Sequence, residues 1–312
     1  MSFQPSKTQQ GITLGINPRD YHAMGEQFPR GDMRRTMSHS ELRKFAACPQ
    51  KWIEGAPQES SDEMDWGSLV DCIVTTPNLV ETIYAVTPET YLSKGKKKAD
   101  PPEEKEWTWQ SKTCRAWRDE KRAQGLEVVT PEMMSNAWKA AKKLTQDRRI
   151  NALLESSDRQ VQVCVDWQDK ETGIVIPFKC LLDLVPRDSR EIADLKTTNS
   201  LATHKWSRHV FTYGLHSQGA VYMDAYNVAS GEKRDTFKHV VQESFPPYSV
   251  GRRALPEEFL TLGEAFYRNA LAKYCQCLQT GIWPGYDDES DMTGEVIDGW
   301  RYIGPEPWMV MA

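Results

Sequence analysis

The chain has 312 residues, with 39 Lys and Arg against 44 Asp and Glu and a formal charge of −5 at pH 7. At 39% hydrophobic and 10% aromatic residues it can bury a real core, which excludes global disorder. A mean hydropathy of −0.63, with no apolar run of about 18 residues, excludes a membrane-spanning helix, and the mild acidity argues against a protein that coats polyanions while leaving room for a local basic groove.

In chain order, residues 1–36 are polar, with Gly, Pro and Arg dispersed, and read as an arm lying over the domain or over a partner. No apolar signal segment opens the chain, and the seven scattered cysteines form no CxxC pair, which points to a reduced, cytoplasmic setting. Ser38 to Glu41 has the S-x-x-E form of a capping box, followed by Leu42, Phe45 and Ala46 at helical spacing, and this helix stops near Cys48-Pro49. Residues 55–63 are acidic and loop-like. Met64 to Val74 predicts a short buried helix in which Gly67 allows close approach to a neighbour. The charge run Lys94, Lys96, Lys97, Lys98, Pro101, Pro102, Glu103, Glu104 and Glu106 reads as a solvated loop, or as a mobile loop facing a nucleic acid. Helices are predicted over 111–124 and 131–154, the second starting after Thr130-Pro131-Glu132.

The texture then turns to strands: 159–168, 174–186 with a turn at Thr172-Gly173 before it, and a short one from Glu191 to Lys196. Helical patterns cover 201–211 and 215–229, a further strand 235–244 and a long helix 256–280. The residues after Trp283-Pro284, with Asp287, Asp288, Glu289 and Asp291, read as a polar, irregular tail. This order predicts an α/β (α+β) domain with a small mixed sheet flanked by helices.

Chemistry concentrates in 179–196. Period two puts Asp194 and Lys196 on one face of their strand, with Leu195 turned to the core, and Asp183 sits beside them if the strands pair. Two carboxylates and an ammonium at one sheet edge are a way to hold a hard divalent cation against a phosphate. By spacing alone the same residues also fit exposed strand positions. Trp107, Trp109 and Trp117 read either as core anchors or as platforms for unpaired bases. Lys139, Lys142, Lys143, Arg148 and Arg149 read either as a phosphate track or as a solvated face, and Glu243 as a strand-end surface residue.

Asp183, ten residues, then Asp194-Leu195-Lys196 resembles the D…(D/E)xK core of the restriction-endonuclease-like nuclease superfamily. More narrowly, the chain resembles the RecE-type (exonuclease VIII) phage recombination nucleases. The likeness rests on an ordered set of segments: MSHSELRKFAACPQKW (37–52), WGSLVDCIV (66–74), KCLLDLVP (179–186), IADLKTT (192–198), HSQGAVYMDAY (216–226), FKHVVQESFPPYSV (237–250) and CLQTGIWPGY (277–286). It thus covers a nuclease domain at 37–286, leaving the arm 1–36 and the tail 287–312.

The resemblance implies a restriction-endonuclease-like core and an Mg2+-dependent exodeoxyribonuclease, with Mn2+ able to substitute. Such an enzyme resects the 5′ strand of linear double-stranded DNA to leave 3′ tails for annealing. Asp183 and Asp194 would ligate the metal and Lys196 would act on the attacking water. Gln218 and Tyr222, four apart on one helical face, would contact DNA or support the site. The family helix usually reads GxxxH, whereas Gly67 is followed four residues later by Asp71. A carboxylate suits a hard cation, so the resemblance leaves two readings of Asp71: a third metal ligand, or a position that no longer binds metal and weakens or abolishes activity. The late region offers only Cys275 and Cys277 beside Cys48, too few for an iron–sulfur cluster of the related pattern. The implied partners are DNA ends, a single-strand-annealing recombinase and further copies of the chain, a ring among the options, in a bacterial cytoplasm. Two other readings stay open: a non-catalytic DNA-binding or interaction protein that kept the fold, and an endonucleolytic defence or repair nuclease.

Overall fold

A computed structural model describes residues 2–7, 11–55, 62–93 and 101–286, with the backbone of two short strands beyond them. The lysines at 94 and 96–98 and the acidic residues Asp287, Asp288, Glu289 and Asp291 lie outside the described residues.

The first third supplies β1 (Ser2–Pro5), β2 (Ile12–Thr13), α1 (Pro18–Ala23), β3 (Met37–Ser38), α2 (His39–Ala47), α3 (Pro49–Ile53), α4 (Asp62–Thr75) and, after a 3-10 turn, α5 (Val80–Ile83). Next come β4 (Tyr84–Val86), β5 (Thr90–Ser93), β6 (Glu103–Glu106), α6 (Lys112–Ala123), β7 (Glu127–Val129), α7 (Pro131–Thr145) and α8 (Arg148–Ser156). The remainder holds β8 (Ser157–Gln168), β9 (Val175–Pro186), β10 (Glu191–Thr198), α9 (Thr203–Thr212), α10 (Leu215–Ser230), β11 (Thr236–Glu243), β12 (Val250–Ala254), α11 (Glu257–Thr280) and a two-residue pair, β13 (Val296–Ile297) with β14 (Trp300–Arg301).

One eight-stranded sheet organises the chain, in the order β1-β8-β9-β10-β11-β12, with β2 also on β8 and β3 on β9. The β8–β9–β10 meander is antiparallel. The step from β10 to β11 is parallel, because α9 and α10 carry the chain back across the sheet. Two apolar clusters lie against it. On one, Val161, Val163, Val165 and Trp167 of β8 meet Phe178, Cys180 and Leu182 of β9 and the buried sides of α2, α10 and α11. On the other, Leu184, Ala193, Leu195 and Val240 meet α4, α7 and α8.

Local chemistry explains most element ends. Ser38 accepts from the Glu41 N–H at 3.4 Å and Thr130 from the Met133 N–H at 3.1 Å, as N-caps do. Where one helix is predicted over 131–154, the structure has two. Asp147 breaks it by accepting from the N–H groups of Arg149 and Ile150 at 2.9 and 3.1 Å, which starts α8. The Glu-rich end of the expected charged loop is instead an exposed strand, β6, paired with β5.

Residues read as an arm reach into the sheet: β1 and β2 pair with β8, and Lys179 of β9 donates to the carbonyls of Tyr21 and His22 at the end of α1. Strand β12 and the short pairs β4–β7 and β5–β6 have no counterpart in the sequence reading. Among the described residues no helix is long and apolar enough to cross a membrane.

Candidate active site

The site forms where β9 and β10 part. The two strands are in register at Leu184 and Ala193. Immediately beyond, the Leu195 N–H donates to Oδ2 of Asp183 at 2.8 Å, so a backbone donor fixes that carboxylate. Strand alternation sets Asp194 and Lys196 on one face, where the Lys196 ammonium meets Asp194 Oδ2. Leu195 and Ala193 point the other way and pack against α4.

Helix α4 comes close because Gly67 has no side chain; a Cβ there would lie 2.9 Å from Thr197 Oγ1. One turn later Asp71 comes within electrostatic reach of Asp194, Lys196 and Asp183. Its Oδ2 accepts from Gln160 Nε2 at 3.1 Å, while its buried Oδ1 has no hydrogen-bond partner among the described residues.

Gln160 is the member of the site that sequence reasoning missed. It is 1% exposed, and its amide also donates to Thr75 Oγ1 at 3.0 Å. It lies between the register pairs Arg159–Leu184 and Val161–Leu182, opposite Asp183. Its φ of 48° is in the left-handed region, rare for a residue with a side chain and characteristic of strain kept at functional positions. Nothing local in RQVQVCVD signals this, since the partner carboxylate is 89 residues away in the chain.

The remaining expected residues divide. Gln218 Nε2 reaches Asp194 Oδ1 at 3.4 Å. Tyr222, one turn on along α10, is buried between the rings of His39 and Phe237, each 6.4 Å away. Glu243 ends β11, as read, but is half-buried, not at the surface: it accepts from the Leu201 N–H at 3.0 Å and so anchors the chain after β10. Lys139, Lys142, Lys143, Arg148 and Arg149 are all exposed, while α7 buries Ala137, Ala140, Ala141 and Leu144 on its other side.

Three carboxylates against one ammonium leave excess negative charge. Burial pushes Asp71 up to about 7; the Lys196 charge and the Gln160 amide hold it down, and the Asp194 charge adds to the rise. Burial, then the charges of Asp194 and Asp71, carries Asp183 well above the ordinary carboxylate range. Lys196 is held above its ordinary value: burial works to lower it, but Asp194, Asp183 and Asp71 outweigh that. His239, in register with Asp194, is driven by burial down to about 4 and sits as a neutral ring 5.5 Å from Trp206.

A set of hard oxygen donors, short of positive charge and with one buried carboxylate oxygen unbonded, fits a hard divalent cation. As the side chains stand, no group of three His, Cys, Asp or Glu among the described residues is closed into a metal cluster. The Lys196 ammonium, the Leu195 N–H and the Gln160 amide each hold one carboxylate. Asp71 and Asp183 open onto a cleft of about 1560 Å3, larger than the roughly 300–1,000 Å3 of a small-molecule pocket.

The profile of a PDDEXK-like domain of unknown function (DUF3799) matches residues 36–295. The crystal structure of a candidate exonuclease from Eubacterium rectale superposes with a TM-score of 0.56 over 96% of this chain and 98% of that one, at 14% identity, a likeness of fold. SSO0001 (15% identity, 53% of this chain and 78% of that one) and Scheffersomyces stipitis Rai1 in complex with (3′-NADP)+ and calcium ion (11% identity, 88% and 77%) each give a TM-score of 0.26, too low to carry an argument. No curated protein matches the chain. With a profile match over residues 36–295, most of its length, the chain belongs to the PDDEXK-like DUF3799 family.

Proposed function

We propose that the chain is a Mg2+-dependent exodeoxyribonuclease of RecE type, resecting the 5′ strand of linear duplex DNA to leave 3′ single strands for an annealing partner, and working as a homo-oligomer. The observation that carries hydrolysis is the grouping of Asp71, Asp183 and Asp194 around Lys196 beside an open cleft of about 1560 Å3. The finer claims of strand polarity, recombination and assembly rest on the ordered sequence resemblance.

Asp183 and Asp194, with Asp71 as third donor, are the residues that would hold the cation. When bound, it supplies charge neutralisation at the scissile phosphate and an acidified water. The chain's own groups prepare the rest. The Leu195 N–H and Gln218 orient Asp183 and Asp194, and Gln160 turns Asp71 so that Oδ1 stays unbonded. Lys196, kept protonated by its three acidic neighbours, offers positive charge to the phosphate oxygens as negative charge builds on them.

The test uses linear duplex DNA labelled separately at each 5′ and 3′ end, with Mg2+, Mn2+ or EDTA, beside an Asp194→Ala control. Metal-dependent loss of the 5′ label that leaves 3′ single strands, absent in the control, supports the reading. Nicking of closed circles would make the protein an endonuclease. DNA binding without turnover in either metal would leave a fold kept for binding alone.

A further inference from the structure

Among the exposed large apolar side chains of the described residues, two line the cleft that contains Asp71 and Asp183: Trp109, 41% exposed, and Phe245, 61% exposed. Neither is loose. Phe245 sits on the turn after β11, which is pinned to the site strand by the Ser244 N–H donating to the Thr198 carbonyl at 2.9 Å. The same turn is closed by the Tyr248 N–H donating to the Phe245 carbonyl at 2.8 Å, and Tyr248 stacks on Trp66 of α4 at 6.0 Å and 21°. Trp109 is braced edge-on by the ring of Trp107 at 5.8 Å, itself packed on Trp117 at 5.2 Å, and by the guanidinium of Arg118 at 5.9 Å. Trp107 and Trp117 are thus anchors, and Trp109 is the ring they present. Holding two aromatic faces to water on fixed supports forfeits the burial that each would gain elsewhere.

The charge on the cleft walls narrows what these rings meet. Beyond the two site carboxylates the lining has Asp65, Glu127 and Glu132 against Arg19, Arg118 and Arg122. Arg19 is already engaged with the Ile83 carbonyl at 2.9 Å and Arg118 with Asp119. Phosphate neutralisation alone is therefore a weak grip here, unlike in a basic duplex-binding groove. Exposed rings beside a phosphodiester-cutting site suit the flat faces of unpaired bases, whose stacking on aromatic side chains is tolerant of sequence.

We infer that Phe245 and Trp109 form a stacking site for unpaired nucleobases, so that the strand entering the cleft does so single-stranded and is recognised by its bases more than by its phosphates. This rests on the nuclease reading and names the form of its substrate. An intact duplex hides its base faces within the stack, so the end must fray before the site fills.

The experiment measures fluorescence-anisotropy binding, in Ca2+, of an oligothymidylate of about 12 nucleotides, of an abasic sugar–phosphate strand of equal length, and of a blunt duplex. The wild type is expected to prefer the oligothymidylate over the abasic strand by at least about 5-fold, the lower end for one stacked base. Phe245→Ala and Trp109→Ala should each erode that preference without changing abasic binding, and Phe245→Trp should keep it. Phe245, 61% exposed, should leave thermal unfolding unmoved on truncation, whereas Trp109→Ala also loses its packing on Trp107 and is compared at a temperature well below its transition. Equal binding of the two single strands by the wild type, or variants that weaken both strands alike, would overturn the stacking site while leaving nuclease action on the duplex intact. A protein that neither binds nor cuts any of the three would overturn the nuclease reading and this inference together.

Discussion

Asp71 is the position at which catalytic preparation should be readable as a cost in stability. Its carboxyl titrates at about 7 in the fold against 3.8 in an unfolded chain. Below pH 3.8 it is protonated in both states and contributes nothing. Between 3.8 and about 7 the unfolded chain ionises while the folded one does not, so stability falls as pH rises. Above about 7 the penalty is complete, and at 1.36 kcal/mol per pH unit it amounts to about 4 kcal/mol. Asp71→Asn removes the charge yet keeps an oxygen for the Gln160 amide, which donates at 3.1 Å. In EDTA the variant should therefore gain about 4 kcal/mol at pH 8, roughly 6 °C in Tm for a chain of this size, and almost nothing at pH 4. Urea unfolding of both proteins at the two pH values checks this. Mg2+ should recover much of the gap in the wild type and little in the variant, because a cation relieves the same crowding. An Asp71→Asn protein less stable than the wild type at pH 8 without metal would show that the carboxylate is satisfied where it stands, and the argument for a strained ligand set would fail.

Other outcomes follow from neighbouring contacts. Gln160→Ala should weaken Mn2+ binding, read by calorimetry, about 10- to 100-fold through loss of the group that turns Asp71. Gln160→Gly should share that loss yet be about 1 kcal/mol more stable than the Ala variant, since glycine accepts a φ of 48°. Gly67→Ala places a Cβ 2.9 Å from Thr197 Oγ1, so the Thr197 side chain or α4 must shift; about 1–3 kcal/mol of stability should go, and nuclease turnover should fall more than unfolding predicts. Arg234 is 6% exposed and donates to the carbonyls of Pro186, Ser189 and Glu191, tying the turn between β9 and β10. Arg234→Ala strands those acceptors and should cost about 3–5 kcal/mol in chemical denaturation.

Elements with strong local signals, and residues tied to the site by short spacing, were legible from the order of amino acids alone. The alternation of β8 and β9, the capped starts at Ser38 and Thr130, and the Asp194–Lys196 pair on one strand face all follow from backbone periodicity and side-chain chemistry within a few residues. That Gly67 lets a neighbour approach α4 was legible for the same reason, because a lone glycine in an apolar helix marks close approach; that the neighbour is Thr197 was not. The rest depends on how the elements pack. That residues 2–5 and 12–13 become sheet strands depends on the free edge of β8, which the polar N-terminal segment does not announce. That Asp71 is backed by Gln160, that Asp183 is fixed by the Leu195 N–H, and that Trp109 and Phe245 share one cleft are facts of residues 12 to 136 positions apart. Sequence period reports which way a side chain faces on its own element. Which charges gather in a shared low-dielectric space, and so which titrate abnormally, is set by how the elements pack.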